Sequence, residues 1–271
     1  MKDHYLHVLG YSIPINKKIS LKLIGLDTDQ QGIIDKTLLD LDGSENKTNL
    51  GANATLAVSL ANSKCSALSN KKSLFKHLGD TFSLPIPLMN IINGGAHANN
   101  SLKIQEFMIR PEKAKTFSDA IKICFLVIQK LKSLLSDKNL STNVGDEGGF
   151  APNLESDEEA IDLILESINK SGFKPGKDVS LCLDVASNEL YDGKNYSIIT
   201  NKKISSEELI DYYSTLANKY PIKSIEDPIF EDDWSSWSNL NKRLGDEVQI
   251  VGDDLFVTNH KRLSRGIKEK S

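Results

Sequence analysis

The chain has 271 residues, of which 39% are hydrophobic and 26% charged, and its formal net charge is −4. This composition is typical of a globular protein with enough length to bury a large core. The acidic balance argues against nucleic acid as an obligate partner. No apolar run reaches the roughly 20 residues of a membrane helix, and the N-terminus lacks the apolar segment of a signal peptide. We therefore expect a cytoplasmic protein that requires neither nucleic acid nor a membrane.

Three cysteines bear on the redox compartment. Cys65, Cys124 and Cys182 are odd in number, far apart in sequence and embedded in apolar patterns. Such residues are typical of reduced core thiols in a cytoplasmic protein.

The first part of the chain is mostly helical in pattern. Residues 33–41 are amphipathic and close at Asp42-Gly43. Residues 50–67 are rich in alanine and leucine, with apolar residues all round, which predicts a well-buried helix. Pro85 and Pro87 then break the pattern. We place a domain boundary here, giving domains 1–83 and 84–271.

Beyond the boundary, strand and helix patterns alternate. Strand candidates occupy 88–92 and 104–109, and a small hairpin is predicted within 190–199. A hydroxyl residue three positions before an acid opens each of three helices, at Thr116, Ser156 and Ser205. This alternation predicts a parallel α/β sheet, either open or an unfinished barrel, with Trp234 and Trp237 in its core.

Three apolar strand candidates each end in an acid. Residues 179–184 end in Asp184, 222–226 in Glu226 and 248–253 in Asp253. A carboxylate at the end of a buried strand is unfavourable unless it is paired or bound to a cation. Since the carboxyl ends of parallel strands meet at one edge, the three acids predict a site for a hard divalent metal. The alternative is that each acid caps the loop that follows it.

Two glycine-flanked loops carry further candidates. In VGDEGGFAP (144–152), two glycines next to Glu147 permit a tight turn or a close backbone approach. Burial in a site would raise the pKa of Glu147 towards that of a general acid, although a plain surface turn explains the sequence equally well. NGGAHANN (93–100) carries His97, for which a structural role is the alternative. Gln105-Glu106 lies within an apolar strand, where a glutamate needs a partner.

Seven stretches together resemble enolase, phosphopyruvate hydratase. They occur in the family's order: NLGANA (49–54), MNIINGGAHANN (89–100), IQEFMI (104–109), VGDEGGFAPN (144–153), LDVAS (183–187), SIEDP (224–228) and VGDDLFVTN (251–259). The resemblance implies an α/β fold, namely an incomplete enolase-type (β/α)8 TIM barrel with about five strands. The helical remnant of a small N-terminal α+β domain would precede this barrel.

The resemblance implies a lyase that dehydrates 2-phosphoglycerate to phosphoenolpyruvate in glycolysis and uses Mg²⁺. Its metal ligands would be Asp184, Glu226 and Asp253. Glu147 would be the general acid that helps the C3 hydroxyl leave, assisted by Glu106. The substrate-binding residues would be His97, Gln105 and Glu106. The complete protein is expected to be a homodimer.

Two parts of the family pattern have no match in this sequence. One is the N-terminal sheet with its serine-bearing mobile loop, and the other is the later part of the barrel, which carries the proton-abstracting lysine. We therefore expect a fragment that is inactive alone. The alternatives are a non-catalytic enolase-like binding or assembly protein and a chain complemented by a second polypeptide.

Overall fold

The computed structural model describes residues 15–271. These residues form two compact units that divide between Ser83 and Leu84. The N-terminal stretch on which the signal-peptide expectation rests lies outside the described residues. Within 15–271, no helix is both long and apolar enough to cross a membrane.

The first unit is helical over its described residues, 15–83, where no strand occurs. A π-helical turn (Ile15–Ile19) leads into α1 (Ser20–Leu23), α2 (Gln31–Asp42), α3 (Ala52–Ser69) and α4 (Leu74–Leu78). Helix α2 ends at Asp42, as the Asp42-Gly43 pair predicted, and Gly43 caps it in the left-handed conformation with a φ of 68°. A small core is formed by Ile19, Ile34, Leu38, Leu50 and Ala54.

The prediction that α3 is well buried was wrong. Leu56 is 58% exposed and Leu68 is 76% exposed, whereas the buried positions of the helix are small or polar: Ala54, Thr55, Ser66 and Ala67. The helix has apolar residues all round but packs on one side, where Gln31 of α2 donates to the Ser59 carbonyl at 3.1 Å. An evenly apolar helix does not reveal which of its sides is covered.

The second unit, 84–271, is a mixed α/β structure. Its strands are β1 (Met89–Asn93), β2 (Glu106–Arg110), β3 (Ser180–Asp184), β4 (Tyr196–Ile199), β5 (Lys202–Ile204), β6 (Ile222–Glu226) and β7 (Gln249–Val251). Five of them form one sheet in the order β1-β2-β3-β6-β7, and β4 pairs with β5 alone. Its helices are α5 (Phe117–Asp137), α6 (Asp157–Lys170), α7 (Ser206–Lys219), α8 (Trp234–Leu244) and α9 (His260–Glu269).

The sheet is parallel in one half only. Strands β3, β6 and β7 are parallel neighbours, as predicted, but β2 is antiparallel to both β1 and β3. The expectation of a uniformly parallel sheet was therefore wrong for β2. A loop without a crossover helix joins β1 to β2, and the helix pair α5–α6 returns the chain to the edge where β2 ended. Either connection reverses the direction of the next strand.

The predicted helix starts are confirmed. The hydroxyls of Thr116, Ser156 and Ser205 accept the backbone N–H three residues later, and at Ser205 the Glu208 side chain completes the capping box. Trp234 and Trp237 are buried, as predicted.

Two local predictions need correction. Cys124 and Cys182 are buried, but Cys65 is exposed and is not a core thiol. The hairpin lies later than predicted, over Tyr196–Ile199 and Lys202–Ile204, and only a single Tyr191–Tyr196 bridge spans Asp192-Gly193. Asp192 closes that earlier turn itself, because its side chain accepts the Lys194 and Asn195 N–H groups.

Candidate active site

One row of paired residues crosses the whole sheet at a single edge. In register, it runs Asn93, Glu106, Asp184, Glu226 and Val251. Glu106 opens β2, but this strand runs opposite to its neighbours, so its first residue meets their last. Since adjacent strands lie about 4.8 Å apart, three carboxylate residues stand side by side along this edge.

Asp184 is held in place from two sides. Its Oδ2 accepts a hydrogen bond from Gln105 Nε2 at 3.3 Å, and its Oδ1 accepts one from the Ala186 backbone at 3.0 Å. Burial raises the pKa of Asp184, and these hydrogen bonds oppose the shift. Gln105 therefore orients a predicted metal ligand, a contact that its sequence position alone did not indicate.

Glu226 and Asp253 lie together, in a group with Asp227. One ligand atom from each of the three lies within 4.8 Å of the others. Burial, followed by repulsion from Asp184 and the neighbouring acids, raises the pKa of Glu226 to about 7. Asp253 is exposed and lies two residues beyond β7, which ends at Val251 rather than at 253 as predicted.

Asp227 is the residue that the sequence analysis did not single out. It is 4% exposed, and its carboxylate accepts the N–H groups of Asp253 at 3.1 Å, Asp254 at 2.9 Å and Leu255 at 3.5 Å. These bonds turn the chain out of β7 and hold Asp253 near Glu226. The only signal in the sequence was a second acid before a proline.

A second cluster joins both glycine-flanked loops to β2. His97 Nδ1 lies 3.3 Å from Glu106 Oε1, and ligand atoms of His97, Glu106 and Glu147 all lie within 4.8 Å of one another. The pKa of Glu106 is raised to about 8, chiefly by burial and then by its contact with Glu147. The strand glutamate thus has two titratable neighbours.

Glu147 differs from its expected environment. Its side chain is exposed, so the burial on which its predicted role rested is absent, and Glu106 is the buried acid of the pair. The reason is the turn geometry: Gly148 has a φ of 85° and lifts the chain outwards at this point. Its neighbour Gly149 packs tightly instead, under a hydrogen bond from the Phe150 N–H to the Ile91 carbonyl at 2.9 Å.

An α/β sheet with a row of acids along the edge where its parallel strands end is typical of α/β proteins, barrels and open sheets alike, whose sites lie at that edge. Residues 8–78 match the family model "Enolase, N-terminal domain", and residues 81–271 match "Enolase, C-terminal TIM barrel domain". The curated enolase of Pelagibacter ubique (strain HTCC1062) is 57% identical over 266 residues, which is 97% of this chain and 63% of that protein. The chain belongs to the enolase family. Its five-stranded sheet is part of a barrel, and it spans about 63% of the length of that relative.

Proposed function

We propose that this chain is part of an Mg²⁺-dependent enolase that dehydrates 2-phosphoglycerate to phosphoenolpyruvate in glycolysis. The observation that carries the proposal is the register row of Glu106, Asp184 and Glu226, with Glu147 beside it. The 57% identity to a curated enolase supports the same reaction. The complete protein is proposed to act as a cytoplasmic homodimer.

The donor set fits a hard cation. Carboxylate oxygens are the ligands that Mg²⁺ prefers, and the raised pKa of Glu226 records the crowding of like charges that a cation would relieve. We assign the ligands to Asp184, Glu226 and Asp253. Asp227 lies in the group with Glu226 and Asp253, whereas Asp184 is beside Glu226 in the sheet register; we favour Asp184 because the oxygens of Asp227 already accept backbone N–H groups. When bound, the metal would supply the positive charge that stabilises a dianionic transition state.

The other acids serve the leaving hydroxyl. Glu147 is exposed towards solvent and touches Glu106, whose pKa near 8 keeps it protonated at neutral pH. We assign the proton to Glu106 and its delivery to Glu147: the Glu106 carboxyl passes its proton to Glu147, which delivers it to the C3 hydroxyl, and the hydroxyl leaves as water. The Gln105 amide holds Asp184, the His97 ring lies beside Glu106, and both line the substrate position.

We assign no base for the C2 proton to this chain. The base is proposed to come from the part of the family's sequence that this chain does not span, and the 271 residues alone are proposed to be inactive.

The test compares the complete protein with the 271-residue chain, by formation of phosphoenolpyruvate with and without Mg²⁺. We expect Mg²⁺-dependent turnover from the complete protein and a loss of at least about 100-fold in Glu147→Gln and in Glu226→Gln. Absence of turnover in the complete protein would refute the enolase assignment and favour a non-catalytic binding role. Turnover by the 271-residue chain at a few per cent of that rate would refute its proposed inactivity.

A further inference from the structure

Asn93 is a buried polar residue that the proposed mechanism does not use. It is the last residue of β1, is 0% exposed and pairs in register with Glu106. Among the described residues, neither Oδ1 nor Nδ2 of its side chain has a hydrogen-bond partner. A fully buried amide without partners is rare in folded proteins and calls for a reason.

The side chain of Asn93 lies directly beneath the turn that carries Glu147. A Cβ added at Gly149 would fall 2.2 Å from Asn93 Oδ1, and one added at Gly145 would fall 2.8 Å from Asn93 Cβ. The Gly145 N–H donates to the Gly149 carbonyl at 2.8 Å, which closes the turn. Both glycines that end the turn therefore rest on the same buried side chain.

Backbone hydrogen bonds also tie the turn to the site. The Asp146 N–H donates to the His97 carbonyl at 3.1 Å, and the Asn93 N–H donates to the Phe150 carbonyl at 2.8 Å. Glu147 itself is exposed, so its position depends on the backbone beneath it. The Asn93 amide fills the space between that backbone and β1.

We propose that Asn93 is a positioning residue, which supports the 145–149 turn so that the Glu147 carboxyl stays in contact with Glu106. This inference rests on the proposed function for its catalytic consequence. Its structural part, the support of the turn, stands on the packing alone.

The test uses the complete protein and four variants: Asn93→Ala, Gly149→Ala, the double variant, and Asn143→Ala as the matched control. Asn143 is an exposed asparagine at the base of the same loop, and its backbone carbonyl, not its side chain, accepts the Ala151 N–H. The measurements are kcat and KM for 2-phosphoglycerate, and the hydrogen exchange of the backbone amides in residues 145–149, β3 and β6.

Asn93→Ala is expected to lower kcat about 10- to 100-fold with KM within about twofold, because a misplaced acid weakens the chemical step more than binding. Hydrogen exchange of residues 145–149 is expected to rise about tenfold, with β3 and β6 unchanged. Gly149→Ala attacks the same contact from the side of the turn and leaves the sequence of β1 unchanged, so it keeps the test valid if Asn93→Ala folds poorly. Its added methyl group also meets Asn90 Oδ1 at 2.9 Å and the Ile92 backbone nitrogen at 3.0 Å.

The double variant separates positioning from general destabilisation. Removing the Asn93 amide relieves the closest contact of the added methyl group, so the loss of kcat in the double variant is expected to be below the product of the two single losses. Asn143→Ala should match the wild type.

Three results would overturn the proposal: kcat unchanged in Asn93→Ala, faster exchange spread equally over the sheet, or multiplicative losses in the double variant. A wild-type complete protein that forms no phosphoenolpyruvate would instead refute the proposed function. The exchange measurements would then still decide whether Asn93 supports the turn.

Discussion

Asp227 shows how a single buried side chain can organise the loop that carries Asp253. Its φ of 41° is left-handed, an uncommon conformation for a residue other than glycine, and its carboxylate accepts three backbone N–H groups of 253–255. The strained backbone is retained because it aims the carboxylate at the loop that carries Asp253.

Asp227→Ala is predicted to destabilise the fold by about 2–4 kcal/mol, because it leaves buried N–H groups without acceptors. It should also weaken Mg²⁺ binding, since Asp253 loses its support. Urea unfolding and calorimetric titration with Mg²⁺ measure the two effects. Asp232→Ala, an exposed acid paired with Arg262, is the control and should leave both nearly unchanged. If Asp227→Ala binds Mg²⁺ as tightly as the wild type does, Asp227 is not needed to hold Asp253 in place.

Ala186 presents the same strain without a polar side chain. Its φ is 46° and it is 7% exposed, two residues after the strand that ends in Asp184. Glycine at this position would relieve about 1–2 kcal/mol of left-handed strain but lose about 0.8 kcal/mol of methyl burial.

Ala186→Gly is therefore predicted to be neutral or stabilising in urea unfolding, within about 1 kcal/mol of the wild type. Ala160→Gly is the matched control, because Ala160 is 0% exposed near the start of α6, where glycine loses both burial and helix propensity. The control variant is expected to lose about 1–2 kcal/mol of unfolding free energy. Equal losses in the two variants would show that Ala186 carries no strain.

At the scale of secondary-structure elements, Asp157 joins the start of α6 to the segment that leads into β2. Its Oδ1 accepts the N–H groups of Lys103 at 2.8 Å and Ile104 at 3.3 Å. Burial raises the pKa of Asp157 to about 6 despite these bonds. In the unfolded chain the carboxyl would release its proton near pH 3.9.

Between pH 4 and 6, the folded chain therefore holds one proton more than the unfolded chain at this position. Its contribution to stability is full below about pH 4 and is lost as the pH rises to about 6. Asp157→Asn keeps a carbonyl acceptor and cannot ionise, so the variant should gain stability relative to the wild type by roughly 1–3 kcal/mol over this interval. Urea unfolding at pH 4 and pH 6.5 checks the difference; a pH-independent difference would contradict the raised pKa.

At the scale of the whole molecule, sequence patterns of a few residues predicted the helix starts and the acids at the strand ends. The hydroxyl–acid spacing at Ser205 located a helix start, and the strand-end acids Asp184 and Glu226 emerged next to each other in the sheet. These features depend on short stretches of sequence.

Features set by tertiary packing were not predictable in this way. The direction of β2, the open side of α3 and the exposure of Glu147 depend on segments far away in sequence. The role of Asp227 could not be predicted because the N–H groups that its carboxylate accepts belong to residues 253–255, which follow the next helix and strand. The family resemblance named the candidate site residues, but it did not indicate which acid of the Glu106–Glu147 pair is buried.

The row of acids affects the stability of the whole molecule, and the proposed Mg²⁺ site would reverse the sign of that effect. Without a cation, Glu226 is destabilising above its raised pKa of about 7, because its charge is buried among other acids. Glu226→Gln is therefore predicted to raise the thermal unfolding temperature of the metal-free protein at pH 8. Mg²⁺ at about 100 times its Kd should stabilise the wild type by about 2.7 kcal/mol but leave the variant nearly unchanged, so the order of stability reverses with metal. Glu231→Gln, a change in an acid outside the row, should respond to Mg²⁺ as the wild type does. If Glu226→Gln lowers the unfolding temperature without metal, or retains the full Mg²⁺ response, the row does not form a cation site.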